Sequence, residues 1–207
     1  MIRSAFHIGV VACVVLIATQ AWAIPIVPGQ TAIAVAEPDP VGGVVVAGPL
    51  VSPMNGAAFT GTLTSTVIQN DASNPWGGLT FIYQVANNAN SLDAIGRLTV
   101  TNYNGWLTDM SFQAVGGLPP ALMDRSGSGN VVGFSFVGPP LGPTVLRPGG
   151  VSEVLVVQTN APAWKISQGF VIDGSIAQGE ALVPAVPEPS AVLLVIGGLV
   201  GLLMRRR

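Results

Sequence analysis

Between residues 57 and 185, no stretch repeats its apolar residues at the 3.6-residue spacing of a long helix, and this narrows the available folds more than any other feature. Short runs rich in β-branched and aromatic residues recur instead, each cut off by Gly, Pro, Asn or Asp. In Leu79 to Ala86 (LTFIYQVA), Leu79, Phe81, Tyr83 and Val85 fall on one face and Thr80, Ile82 and Gln84 on the other, as the two-residue period of a strand requires. Similar runs span 97–103, 110–115, 130–137, 153–159 and 170–177, with further candidates at 31–36, 44–47 and 59–68. With no helical segments to serve as crossovers, the pattern predicts an all-β fold, an antiparallel β-sandwich of roughly seven to nine strands.

The sandwich is expected over residues 57–185. Residues 24–56, rich in Pro and Gly and poor in charge, are expected to form a less ordered lead-in or irregular edge strands. The chain of 207 residues is 49% hydrophobic and only 9% charged, against about 25% charged in ordinary soluble domains. The apolar excess is concentrated at the two ends. Residues 1–23 read as an export signal: Arg3 is the basic start, Ile8 to Ala18 the apolar run, and Ala21 and Ala23 the small residues a signal peptidase accommodates, so cleavage after Ala23 is expected. The run is shorter than the roughly 20 residues needed to span a bilayer.

His7 and Cys13, the only residues of their kinds, lie inside this segment. A mature domain without them has no disulfide, thiolate nucleophile, histidine base or Cys/His zinc site. No cofactor and no metal ligand is therefore assigned, and a fold indifferent to reductant and chelator is expected. Residues 24–186 carry four basic residues against nine acidic ones, with no basic cluster to meet phosphates, so nucleic acid is not an expected partner.

Residues 186–207 divide into a proline-rich turn, an apolar stretch over 191–204 and Arg205-Arg206-Arg207. The prolines flanking Glu188 keep Pro187-Glu188-Pro189 extended and open to a processing enzyme. The apolar stretch is expected to form a single transmembrane helix that rises only about 21 Å, short of the roughly 30 Å hydrocarbon thickness. The terminal arginines would hold that end in the cytoplasm, with the domain outside.

This succession of Pro187, Glu188 and Pro189, a short apolar helix and a basic tail, behind an N-terminal signal, closely resembles the PEP-CTERM sorting signal of Gram-negative bacteria that secrete extracellular polysaccharide. The same tail is also labelled a C-terminal domain of ice-binding proteins. The resemblance implies recognition by exosortase, a membrane enzyme similar to cysteine transpeptidases that cuts near the motif. It also implies a transient single-pass precursor in the inner membrane, later delivered to the cell surface or extracellular matrix. The phrases GLTFIYQV, LRPGGVSEVLVVQTNA and FVIDGS are similar to those of other exported PEP-CTERM proteins and imply a shared sandwich. The expected role is a non-enzymatic surface or matrix component associated with extracellular polysaccharide or biofilm. The alternatives are a carbohydrate-binding module and a carboxylate-dependent hydrolase.

Within the body, Trp76, Trp106 and Trp164 lie in or beside turns, where an exposed indole can stack on a sugar ring; packing onto the core is the commoner role for such residues. Glu37, Asp39, Asp71, Asp93, Asp109, Asp124, Glu153, Asp173 and Glu180 are scattered, and no spacing singles out two of them as a glycosidase pair. Oxygen-rich stretches at 70–74 and 87–93 suit Ca²⁺ in residue type but lack EF-hand spacing, so turn chemistry is the expected role. Thr60, Thr62, Thr64 and Thr66 line one face of a strand, an array that would suit ice only if neighbouring strands continued it, and a solvent face is expected.

Overall fold

The computed structural model describes residues 25–139 and 144–185. In chain order its strands are β1 (Thr31–Ile33), β2 (Val44–Asn55), β3 (Thr60–Gln69), β4 (Thr80–Asn87), β5 (Arg97–Val100), β6 (Thr108–Gln113), β7 (Leu122–Arg125), β8 (Val132–Ser135), β9 (Val154–Thr159), β10 (Trp164–Asp173) and β11 (Ser175–Pro184). They form two antiparallel sheets with strand orders β2-β3-β4-β9-β6 and β1-β7-β8-β5-β10-β11. The described residues contain no helix, and the all-β expectation holds.

The two-residue period decides what each sheet buries. Along β3, Gly61, Leu63, Ser65 and Val67 point inward while Thr60, Thr62, Thr64 and Thr66 point outward and are half-buried. Leu63, Phe81, Tyr83, Leu155 and Val157 of the five-stranded sheet share one apolar core with Leu98, Met123, Phe134 and Val171 of the other. Tyr103, from the loop after β5, packs edge-on to Phe81 with ring centroids 6.1 Å apart.

Both open sides of this two-layer core are closed, by different devices. On one side the edge strand β11 faces β2 and β3, and its backbone groups pointing away from β10 are met by side chains of the opposite sheet. Ser52 Oγ accepts from the Glu180 amide (2.8 Å), Ser65 Oγ accepts from the Leu182 amide (3.0 Å), and Tyr83 Oη donates to the Leu182 carbonyl (2.7 Å). An edge treated in this way offers no template for pairing with another chain. The approach requires Gly179, because a Cβ there would collide with Met54 Sδ and lie 2.7 Å from Ser52 Oγ and 3.1 Å from the Pro53 carbonyl oxygen.

On the other side an N-terminal arm runs along the free edge of β6 and crosses between the sheets. The Ile26 amide donates to the Thr108 carbonyl, β1 pairs with β7, the Phe112 amide donates to Val35 and the Glu37 amide donates to Phe112. The segment 24–56 therefore carries β1 and β2, which lie at the edges of different sheets.

The structure departs from the expected strand map in three places. There are eleven strands among the described residues rather than roughly seven to nine. The run 170–177 is not one strand but a hairpin: Gly174, at φ +64°, turns the chain so that Asp173 pairs with Ser175 and Ile172 with Ile176. β7, with only four residues and a charged pair at its end, carries too little alternation to register as a strand. No helix among the described residues is long and apolar enough to cross a membrane. The expected signal segment, with Ala21 and Ala23, lies outside the described residues, as do Pro187, Glu188, Pro189 and the expected helix at 191–204.

Candidate functional site

Two of the three candidate tryptophans line the same cleft. The turn Asn74-Pro75-Trp76 is fixed by Asn74, whose Oδ1 accepts from the Trp76 amide and whose Nδ2 donates to the Gly78 and Thr159 carbonyls. The loop carrying Trp106 is fixed by Arg125, which is 5% exposed. Its guanidinium donates to the carbonyls of Tyr103, Trp106, Gly129 and Ile26 and to Thr108 Oγ1, using every N–H of the fork. Burial lowers the Arg125 pKa from its usual value. Trp76 and Trp106 thereby line one open cleft of about 310 Å³ together with Pro25, Val27, Asn104 and Leu107. Both residues are half-buried, and each indole Nε1 is itself buried without a hydrogen-bond partner, so it is the ring faces that the cleft offers. Trp164 is not part of this cleft: it starts β10, pairs with Pro184 and is 40% exposed.

Three of the scattered carboxylates also meet. Prolines follow both Glu37 and Asp39, which biases each toward an extended backbone, and the Glu37–Phe112 bond lays this stretch beside β6. Asp109 lies on β6 between Thr108 and Met110, and Met110 points into the core, so Asp109 points to the outer face. One carboxylate oxygen from each of Glu37, Asp39 and Asp109 lies within 4.8 Å of the other two. Their exposures are 7%, 4% and 1%. Burial, then a hydrogen bond to Asp39, then the charges of Asp39 and Asp109 push Glu37 up to about 7. Burial and the charge of Asp39 push Asp109 up to about 6; the Met110 amide, too poorly placed for a hydrogen bond, pulls the other way and is outweighed.

The cluster belongs to a polar layer over the outer face of the five-stranded sheet. Ser111 Oγ donates to Asp39 Oδ2 (3.2 Å). Beside it, Asp71 accepts from the Val41 and Ser73 amides, Ser73 Oγ, Thr80 Oγ1 and Gln158 Nε2. Burial alone would raise Asp71, but these donors outweigh it and hold the carboxyl below its usual value.

The remaining candidates behave as scaffold. The stretch 70–74 is an Asx turn around Asp71, and in 87–93 Asn87 Nδ2 donates to the Asp93 and Leu146 carbonyls. Asp124 forms a two-pronged pair with Arg97, and Glu153 accepts from the Val115 and Gly116 amides. Asp93 accepts from the Ala94 amide, burial and the nearby Asp93 charge raise Asp173, and Glu180 is exposed on β11. The threonine row stops at β3, because the residues opposite Thr62 and Thr64 are Pro53 and Val51 on β2 and Ala86 and Gln84 on β4. Comparison of the chain with protein-family models, curated proteins and solved structures found no match.

Proposed function

We propose that the chain is an exported, non-catalytic surface or matrix protein whose β domain holds extracellular polysaccharide in the Trp76–Trp106 cleft, and that exosortase sorts it through Pro187, Glu188 and Pro189. The observation that carries the binding role is the convergence of Trp76 and Trp106 on one open cleft with the amide of Asn104 at hand. Apolar ring faces plus a few polar groups are what a sugar requires of a protein surface. Against a hydrolase, the carboxylates that do approach one another are buried under the arm, out of reach of a polymer. The sorting role rests on the motif and on its resemblance to PEP-CTERM tails.

Electrophoresis of the full-length protein through gels containing the host's extracellular polysaccharide tests the cleft. The wild type and Trp164→Ala should be retarded, and Trp106→Ala should migrate as in a sugar-free gel. Equal retardation of all three would refute the reading. Sorting is tested separately in cells, where Glu188→Ala should accumulate as full-length precursor in the membrane fraction. Normal processing of that variant, and of one with both flanking prolines replaced by Ala, would make the tail a plain anchor.

A further inference from the structure

We propose that Glu37, Asp39 and Asp109 bind a Ca²⁺ ion that fastens the N-terminal arm to the outer face of β6. This inference does not depend on the polysaccharide reading, since the cluster and the tryptophan cleft share no residue.

The cluster alone would be an ordinary group of acids, but Asp109 makes it a site. Both of its carboxylate oxygens are buried, neither has a hydrogen-bond partner, and the side chain is aimed at the other two carboxylates. A buried carboxylate without a donor is costly in any protein, and three buried side by side are costlier through mutual repulsion. No cationic side chain offsets them, because the one ion pair among the described residues is Arg97–Asp124. Next to Asp109 in register on β9 stands Gln158. Its Nε2 is committed to Asp71 and Ser73, while its Oε1 is buried and also unpartnered. An added positive charge answers both the electrostatic deficit and the missing donors.

The chemistry of the donors selects the ion. They are hard oxygens with no sulfur or imidazole, which favours Ca²⁺ or Mg²⁺ over zinc and copper. The three oxygens all lie within 4.8 Å of one another, close enough to share one ion, and the flexible shell of six to eight oxygens around Ca²⁺ accepts such a set more readily than the strict octahedron of Mg²⁺. Three carboxylates, some of them bidentate, leave room for water or Gln158 Oε1 to complete the shell. Ser111 orients Asp39 from behind. The ligands join two parts of the structure: Glu37 and Asp39 lie in the arm, and Asp109 lies in the sheet. Occupancy therefore couples arm docking to free Ca²⁺, which is that outside the cell if the protein is exported as proposed above.

The test uses the purified full-length protein, stripped with EDTA and titrated with CaCl₂ or MgCl₂ in a calorimeter and by thermal unfolding. One Ca²⁺ should bind, with affinity in the submillimolar to millimolar range of extracellular sites. At a free Ca²⁺ of about 100 times Kd, Tm should rise by roughly 5–10 °C, with a smaller rise in MgCl₂. Asp109→Asn keeps the side-chain volume and removes a repelling charge, so in EDTA it should melt no lower than the wild type, yet it should lose the Ca²⁺ response. Glu37→Gln supplies the same comparison from the arm, and Asp93→Asn, in the 87–93 stretch, should respond like the wild type. Absence of binding up to about 10 mM CaCl₂, an equal response to MgCl₂, or a response undiminished in both Asp109→Asn and Glu37→Gln would overturn the proposal.

Discussion

Replacing Tyr83 with Phe removes one oxygen from the centre of the molecule and separates packing from hydrogen bonding. Tyr83 is fully buried, and its hydroxyl joins the Tyr103 hydroxyl (2.7 Å) to the Leu182 carbonyl (2.7 Å). Because Tyr83 donates to Leu182, Tyr103 must be the donor between the two rings. The Leu182 amide points to Ser65 rather than to β10, so its carbonyl, on the same side of the strand, has no ladder partner to return to. Tyr83→Phe therefore strands one acceptor and one donor, each at about 1–3 kcal/mol. Allowing for partial relaxation, the loss should be about 2–4 kcal/mol, or roughly 5–15 °C in Tm. Urea unfolding should show a lower midpoint with an unchanged slope. Adding Tyr103→Phe removes the stranded donor, so the double variant should lose less than the sum of the single ones. A loss below about 0.5 kcal/mol for Tyr83→Phe, the level of an ordinary surface change, would show that the β11 edge is not held by this relay.

Arg125→Met should cost at least about 3 kcal/mol in urea unfolding, since it leaves several buried carbonyls without donors. Arg125→Lys should rescue little, because three donors on a flexible stem cannot replace the fork. Gly78→Ala should cost about 2–3 kcal/mol, as the new Cβ would lie 2.5–2.7 Å from the Asn160 carbonyl carbon, the Thr159 oxygen and the Ala161 nitrogen, all backbone; an unchanged midpoint would refute that crowding. In EDTA, Glu37 and Asp109 titrate near 7 and 6 when folded, against 4.5 and 3.8 as ordinary carboxyls, so the native state holds the extra protons. Their contribution to stability is then fully present below about pH 4 and is lost as pH rises through 7. Tm followed across that window should show this loss in the wild type and a smaller one in Asp109→Asn.

The fold was legible wherever one strand face is buried and the other is not. β3 and β4 alternate because their inner residues fill the shared core, while β9, buried on both faces, reads instead as the continuous apolar run Val154 to Val157; the expected runs match all three to within a residue or so. The hairpin at Gly174 was missed although Asp-Gly is a strong turn signal, because Ile172 and Ile176 keep the apolar alternation going across the turn. Of β2 only residues 44–47 read as a strand in the sequence, because the rest includes Gly48, Pro49 and Pro53, which a central strand would not tolerate. At an edge, with the register shifting between Ala47 and Leu50, they cost the ladder little.

The candidate sites were legible in proportion to how local their signals are. Tryptophans beside turns announce themselves as residues, but only Arg125, reaching both Trp106 and the arm, brings one of them into the cleft that Trp76 lines. The carboxylates were harder still. Glu37-Pro38-Asp39-Pro40 contains a local hint, two acids held extended by prolines, yet nothing in it names a third ligand. Asp109 sits at an outward strand position, where a charged residue ordinarily meets water. What buries it is the path of the arm, set by backbone bonds from the Ile26 and Glu37 amides and to the Val35 carbonyl, which any sequence without proline at positions 26 and 37 could make. Side-chain pattern carries no record of such bonds. Burial of an acid by a backbone-docked segment is thus invisible in sequence, and the unpartnered oxygens of Asp109 become informative only once that segment is in place.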